Sequence, residues 1–169
     1  MQIGFNHEWK CNDSDAMMKK EEKYKTVLET IELLIKDEDD VISVMSTIAC
    51  ELYHALEHFN WVGFYRLVDE NTLKVGPYQG KRGCLSIPID QGVCGKCVSE
   101  NRVQIENDVS QIPYHIVCSA ETKSEIVIPV RDKNGTVKGV LDIDSTVINS
   151  FNETDVKYLK IICQKIIPH

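Results

Sequence analysis

Apolar positions recur along this chain with two periods, one helical and one alternating. Between residues 16 and 36, Tyr24, Val27, Leu28, Ile31 and Leu34 fall at helical spacing and predict a first helix. The acidic run Asp37-Glu38-Asp39-Asp40 ends it and offers a cap to a second helix over 41–58, whose stripe is Val41, Val44, Met45, Ile48, Leu52 and Leu56. From Trp61 onward β-branched and aromatic residues take over. Segments 61–68 and 73–78 form a predicted strand pair, and 85–89 and 103–105 read as short strands. A helix over 93–100 follows Asp90-Gln91-Gly92, and Pro113 forbids a long element within 108–117. Segments 125–132 and 136–145 flank Asn134-Gly135, a strong short-range hairpin signal. A last helix is predicted over 153–167 with Asn152 as its cap. Antiparallel pairs with helices gathered at the chain ends give an α+β class, a central sheet with helices on one face. Residues 1–15 read as an irregular polar segment and 16–169 as a single domain.

The hairpin carries the first chemical signal. With Asn134 and Gly135 as a two-residue loop, Lys133 pairs with Thr136 and Glu125 falls opposite Asp144. Side chains alternate, so Glu125, Val127, Asp142 and Asp144 share one face, while Ile126, Ile128, Leu141 and Ile143 share the core face. Carboxylates crowded in this way tend to keep a proton, with one pKa raised. A solvated acidic sheet face is the plainer alternative.

Composition narrows the partners. The chain has 169 residues, 43% hydrophobic and 27% charged, as a soluble globular domain would. A net charge of −7 argues against nucleic acid and anionic membranes, which need a basic surface. No apolar run approaches the ~18 residues of a membrane span, and the first residues lack the apolar core of a signal peptide. A cytoplasmic protein is expected.

Seven cysteines in such a chain make a poor disulfide framework, which leaves metal binding, redox chemistry or buried thiols. Cys118 precedes a β-rich run opened by Glu125, a thiol and a carboxylate fit for nucleophile and acid. Cys84 lies near a strand end. Cys94 begins a helix, where unpaired N–H groups favour a thiolate, and Cys94-Gly-Lys-Cys97 is a Cys-x-x-Cys. A four-cysteine zinc site lacks its second closely spaced pair. Cys50, His54 and His58 lie on the second helix opposite its stripe, facing solvent or a partner. Ala55 stands where a zincin helix would carry Glu, so no metal is expected there. Trp61 and Tyr65 share a strand face as core or as pocket wall.

Several stretches together resemble the free methionine-(R)-sulfoxide reductases, which are stand-alone GAF domains. These are Asn60-Trp-Val-Gly-Phe-Tyr65, Val75-Gly-Pro-Tyr-Gln-Gly80 with Cys84 following, Gly92-Val-Cys-Gly95, His115-Ile-Val-Cys118, Ser124-Glu-Ile-Val127 and Gly139-Val-Leu-Asp-Ile-Asp-Ser-Thr146. The likeness runs from about Ile31 to the C-terminus. It implies a six-stranded antiparallel GAF sheet with a pocket opposite the main helices, a homodimer, and reduction of free methionine-R-sulfoxide with thioredoxin or another dithiol as external reductant and no bound cofactor. It also implies Cys118 as attacking thiol, Cys84 as resolving thiol and Cys94 as assisting or alternative resolving thiol. Glu125, Asp142 and Asp144 would be substrate carboxylates, and Trp61 and Tyr65 pocket aromatics. Cys97 departs from the family pattern, which has a small residue there. A ligand-binding GAF sensor without chemistry is the alternative, and it would need neither Cys118 nor Cys84; a redox-sensing or metal-binding regulatory module built on Cys94 and Cys97 is a third reading.

Overall fold

The computed structural model describes residues 13–113, 116 and 118–167; most of the expected irregular N-terminal segment therefore lies outside the described residues. Helix α1 (Asp13–Leu34) starts three residues before the expected position, and α2 (Val41–Ala55) follows. Asp40 caps α2 by accepting the Ser43 N–H at 2.7 Å, as its place in the acidic run predicts. The second helix stops at Ala55 rather than at residue 58. His58 is thereby off the helix, half-buried and packed edge-on against Phe59, rather than on a solvent-facing helical stripe.

Strands β1 (Phe59–Asp69), β2 (Thr72–Gly80) and β3 (Ser86–Pro88) precede helix α3 (Gly92–Glu100). The short β4 (Gln104–Glu106), a 3₁₀ turn at Val109–Gln111, β5 (Ser124–Arg131), β6 (Val137–Ser145) and α4 (Glu153–Cys163) complete the chain. The last helix ends four residues before its predicted end. All strand pairs are antiparallel, in one six-stranded sheet of order β3-β2-β1-β6-β5-β4.

One face of the sheet presents Val62, Phe64, Ile126, Ile128, Leu141 and Ile143 to α1, α2 and α4, the main apolar core. Burying each such side chain stabilises the fold by roughly 1.5–3 kcal/mol. A polar knot ties the helices together at one end. Asp155, fully buried in α4, accepts from Tyr24 Oη at 2.7 Å and from the Asn152 N–H at 2.7 Å, and pairs with Lys20. Asn152 and Asp155 thus form a reciprocal capping box.

Helix α3 lies on the opposite face, over Trp61, Tyr65, Val127 and Val140. Gly92 opens it at φ +68°, a left-handed conformation that favours glycine, and a Cβ there would come within 3.1 Å of Ile116. The β5–β6 turn differs from expectation. Lys133, Asn134 and Gly135 form a three-residue loop closed by Asp132 N–H to Thr136 O at 2.9 Å, so Lys133 does not pair with Thr136. The register then shifts by one between Val130 and Arg131, a bulge on β6 that offsets the longer loop. Beyond it Glu125 pairs with Asp144 and Val127 with Asp142, as the alternation predicts.

Candidate functional site

The acidic face follows from strand geometry. Trp61 on β1, Asp144 on β6, Glu125 on β5 and Glu106 on β4 stand side by side in one row across four strands, and Gly63 and Asp142 pair in the next row. Helix α3 closes over this face, so Glu125 and Asp142 are 6% and 7% exposed. Carboxylates so placed cannot all ionise. Burial, followed by the charges of Asp142 and Asp144, holds Glu125 well above the usual carboxylate range. Burial and then Asp142 do the same to Asp144. Burial raises Asp142 to about 7, against hydrogen bonds from Cys94 and Glu125 that favour its charge. Glu125 and Asp142, a diagonal pair, are hydrogen-bonded to one another, while the directly opposed Asp144 acts on Glu125 through its charge.

Cys94, at the start of α3, donates its thiol to Asp142. Burial and then the carboxylates push that thiol up, overriding the help of a helix N-terminus. Cys97, fully buried, points its thiol toward Val127 O at 3.7 Å, and neither cysteine of the Cys-x-x-Cys is in a disulfide.

The covalent link is elsewhere. Cys84 and Cys118, separated by 34 residues, form a disulfide with their Cα atoms 5.3 Å apart. Cys118 borders a cavity of about 30 Å³ together with Cys94, Thr122, Glu125, Asp142, Asp144, Ile87 and Ile116. Cys84 sits outside it on the 81–85 loop. That loop rests on the aromatic pair expected to wall the pocket. Trp61 and Tyr65 stack 5.7 Å apart, Trp61 Nε1 donates to Lys81 O at 2.9 Å, and Gly83 has no room for a Cβ farther than 3.1 Å from Tyr65 Oη. In this disulfide form the two rings are not among the residues that line the cavity, and Cys84 packs against their cluster. Gly63 makes room for them, since a Cβ there would meet the Trp61 ring at 2.3 Å. An exposed ion pair, Lys81 to Glu121 at 2.6 Å, joins the Cys84 loop to the segment after Cys118.

Comparison with known proteins gives this geometry a family. A family model for the GAF domain matches residues 36–166. The free methionine-R-sulfoxide reductase of Escherichia coli is 41% identical over 143 residues, 85% of this chain and 86% of its own. The enzyme of the same name from Saccharomyces cerevisiae is 36% identical over 96% of this chain and 93% of its own. The X-ray structure of free methionine-R-sulfoxide reductase from Neisseria meningitidis, in complex with its substrate, superposes with a TM-score of 0.82 at 36% identity, covering 87% of each chain. The chain belongs to the free methionine-R-sulfoxide reductase family of GAF domains.

Within this GAF domain Cys118, Cys94, Glu125, Asp142 and Asp144 line one cavity, and Cys84, outside it, is bonded to Cys118. Two members escaped the sequence. Glu106 adds a further carboxylate to the Glu125 row and pairs with Lys96 at 3.5 Å. Only the β4–β5 register reveals it, because a three-residue strand carries no readable alternation. Thr122, 8% exposed, lines the cavity beside Asp144 from an irregular segment, where no periodicity exists to mark it. His115 and Val117, in the motif before Cys118, lie outside the described residues.

Proposed function

We propose that this chain reduces free methionine-(R)-sulfoxide to methionine, with Cys118 as the attacking thiol and Cys84 as the resolving one. The observation that carries this reading is the Cys84–Cys118 disulfide at the mouth of a cavity walled by buried, proton-holding carboxylates. That state is the expected end of one turnover. The Cys118 thiolate attacks the sulfoxide sulfur while a protonated Glu125 delivers its proton to the sulfoxide oxygen. The hydroxyl passes to Cys118, and methionine departs with the electron pair of its former bond to that sulfur. Cys84 then displaces the hydroxyl of the Cys118 sulfenic acid as water, forming the disulfide. An external dithiol, thioredoxin in this reading, exchanges with it and restores both thiols.

Three features support the details. Cys94, buried with its thiol pushed up, is a poor resolving nucleophile, which favours Cys84 in that role. The acidic face suits the ammonium of a free amino acid. Cys118 and all three carboxyls line the same cavity, so the ammonium site and the attacking thiol face the same substrate. No helix among the described residues is long and apolar enough to cross a membrane, and a reductant-dependent cycle fits the reducing cytoplasm. The expected homodimer would cover some of Leu33, Leu34 and Ile42, exposed around the α1–α2 turn.

The test is loss of free methionine-R-sulfoxide in dithiothreitol, with the S epimer and N-acetylated substrate as controls. Selective loss of the free R epimer is expected. Comparable rates on the acetylated substrate would contradict the role given to the acidic face. Cys84→Ser should release one methionine per chain and then fail to recycle with thioredoxin.

A further inference from the structure

An ammonium needs carboxylates and no thiol. Yet the sulfur of Cys94 and one oxygen each of Glu125 and Asp142 lie within 4.8 Å of one another, and all three side chains are more than nine-tenths buried. One oxygen of Asp142, Oδ1, is buried without a hydrogen-bond partner, and Asp142 lines the cavity. Cys94, Glu125 and Asp142 all line this one cavity. We propose that Cys94, Glu125 and Asp142 form a binding site for a single zinc ion, which takes the place of the substrate's ammonium and arrests the enzyme.

The chemistry selects zinc. A thiolate with two carboxylates is a ligand set for a borderline-soft cation, and is poorly suited to magnesium or calcium. Zinc bonds of about 2.0–2.3 Å set tetrahedral ligand atoms roughly 3.5 Å apart, so small side-chain rotations close the observed spacing. The fourth position faces the cavity that Cys118 also borders. Zinc enters as the protons held by these groups leave to solvent. A divalent charge inverts the electrostatics that keep the trio protonated, and affinity therefore rises with pH. The inhibitory half of this inference rests on the reductase reading; the binding half does not.

The experiment starts from the oxidised protein, in which Cys84 and Cys118 cannot ligate. Zinc chloride is added, the protein is gel-filtered, and retained metal is measured. One equivalent per chain is expected, and cobalt in its place should give a thiolate-to-metal charge-transfer band. Cys94→Ala and Asp142→Asn, checked for folding by thermal melts, should each weaken retention by more than ~100-fold, beyond the loss of an outer-shell partner. On the reduced enzyme, zinc should raise the apparent KM for free methionine-R-sulfoxide. Absence of retained zinc, or retention untouched by both substitutions, overturns the proposal. Retained zinc in a protein without reductase activity overturns the functional reading and leaves the metal site standing.

Discussion

The two faces of the β5–β6 hairpin are buried almost equally and hold opposite chemistry. Ile126, Ile128, Leu141 and Ile143 point to the helices α1, α2 and α4, while Glu125, Val127, Asp142 and Asp144 point to α3 and the cavity. The first face gains from leaving water. The second loses, since each buried carboxyl must keep a proton or find a cation. The apolar face therefore stabilises the fold that holds the acidic face in place, and the acidic face retains protons near Cys118 that an ordinary surface would not hold.

The sharpest way to break the comparison is Cys118→Ser, which should abolish methionine release even in a single turnover and leave the melting temperature of the reduced protein within a few degrees. Stoichiometric release by this variant would sink the assignment. Next is Glu125→Gln, which keeps shape and removes the acid. Its single-turnover rate should fall roughly 10²- to 10⁴-fold. The unmodified enzyme should show a bell-shaped pH profile, falling on the alkaline side as Glu125 loses its raised proton, and the variant should lose that alkaline limb. A rate within a few-fold of the parent would remove the acid from Glu125.

On the apolar face, Leu141→Ala should cost about 2–5 kcal/mol of stability by leaving a cavity and should spare single-turnover chemistry in the molecules that remain folded. Denaturant titration beside the single-turnover assay separates the two effects. The faces should also differ in pH response. Asp142 rises from 3.8 unfolded to about 7 folded, so the folded state binds more protons between those values. Stability from this group is full below about pH 4 and is lost as pH climbs toward 7. Asp142→Asn should flatten that slope, while Leu141→Ala should leave it unchanged; parallel slopes in both variants would show that Asp142 does not set it. The smallest effect expected is at the α4 cap, where Asn152→Ala should cost about 0.5–2 kcal/mol with no change in the pH dependence of the reaction.

The sequence by itself carried what depends on neighbours along the chain. Period-two alternation separated the two faces of the hairpin, and Asp40 and Asn152 marked the helix starts by their capping chemistry. The Glu125–Asp144 register emerged correctly from a loop that was one residue too short, because the bulge at Lys138, just before Gly139, offset it. The pairing of Cys84 with Cys118 entered through family resemblance, since no local rule joins thiols 34 residues apart. What only the tertiary structure decided depends on contacts between distant segments. It drew Glu106 into the carboxylate row, set Thr122 beside Asp144, turned His58 inward, and made Trp61 and Tyr65 the platform of the Cys84 loop. It also joined Glu125 to Asp142 by a diagonal hydrogen bond and brought the Cys94 thiol to Asp142 beneath α3. Alternation assigns a side chain to a face, whereas its proton depends on everything packed against that face.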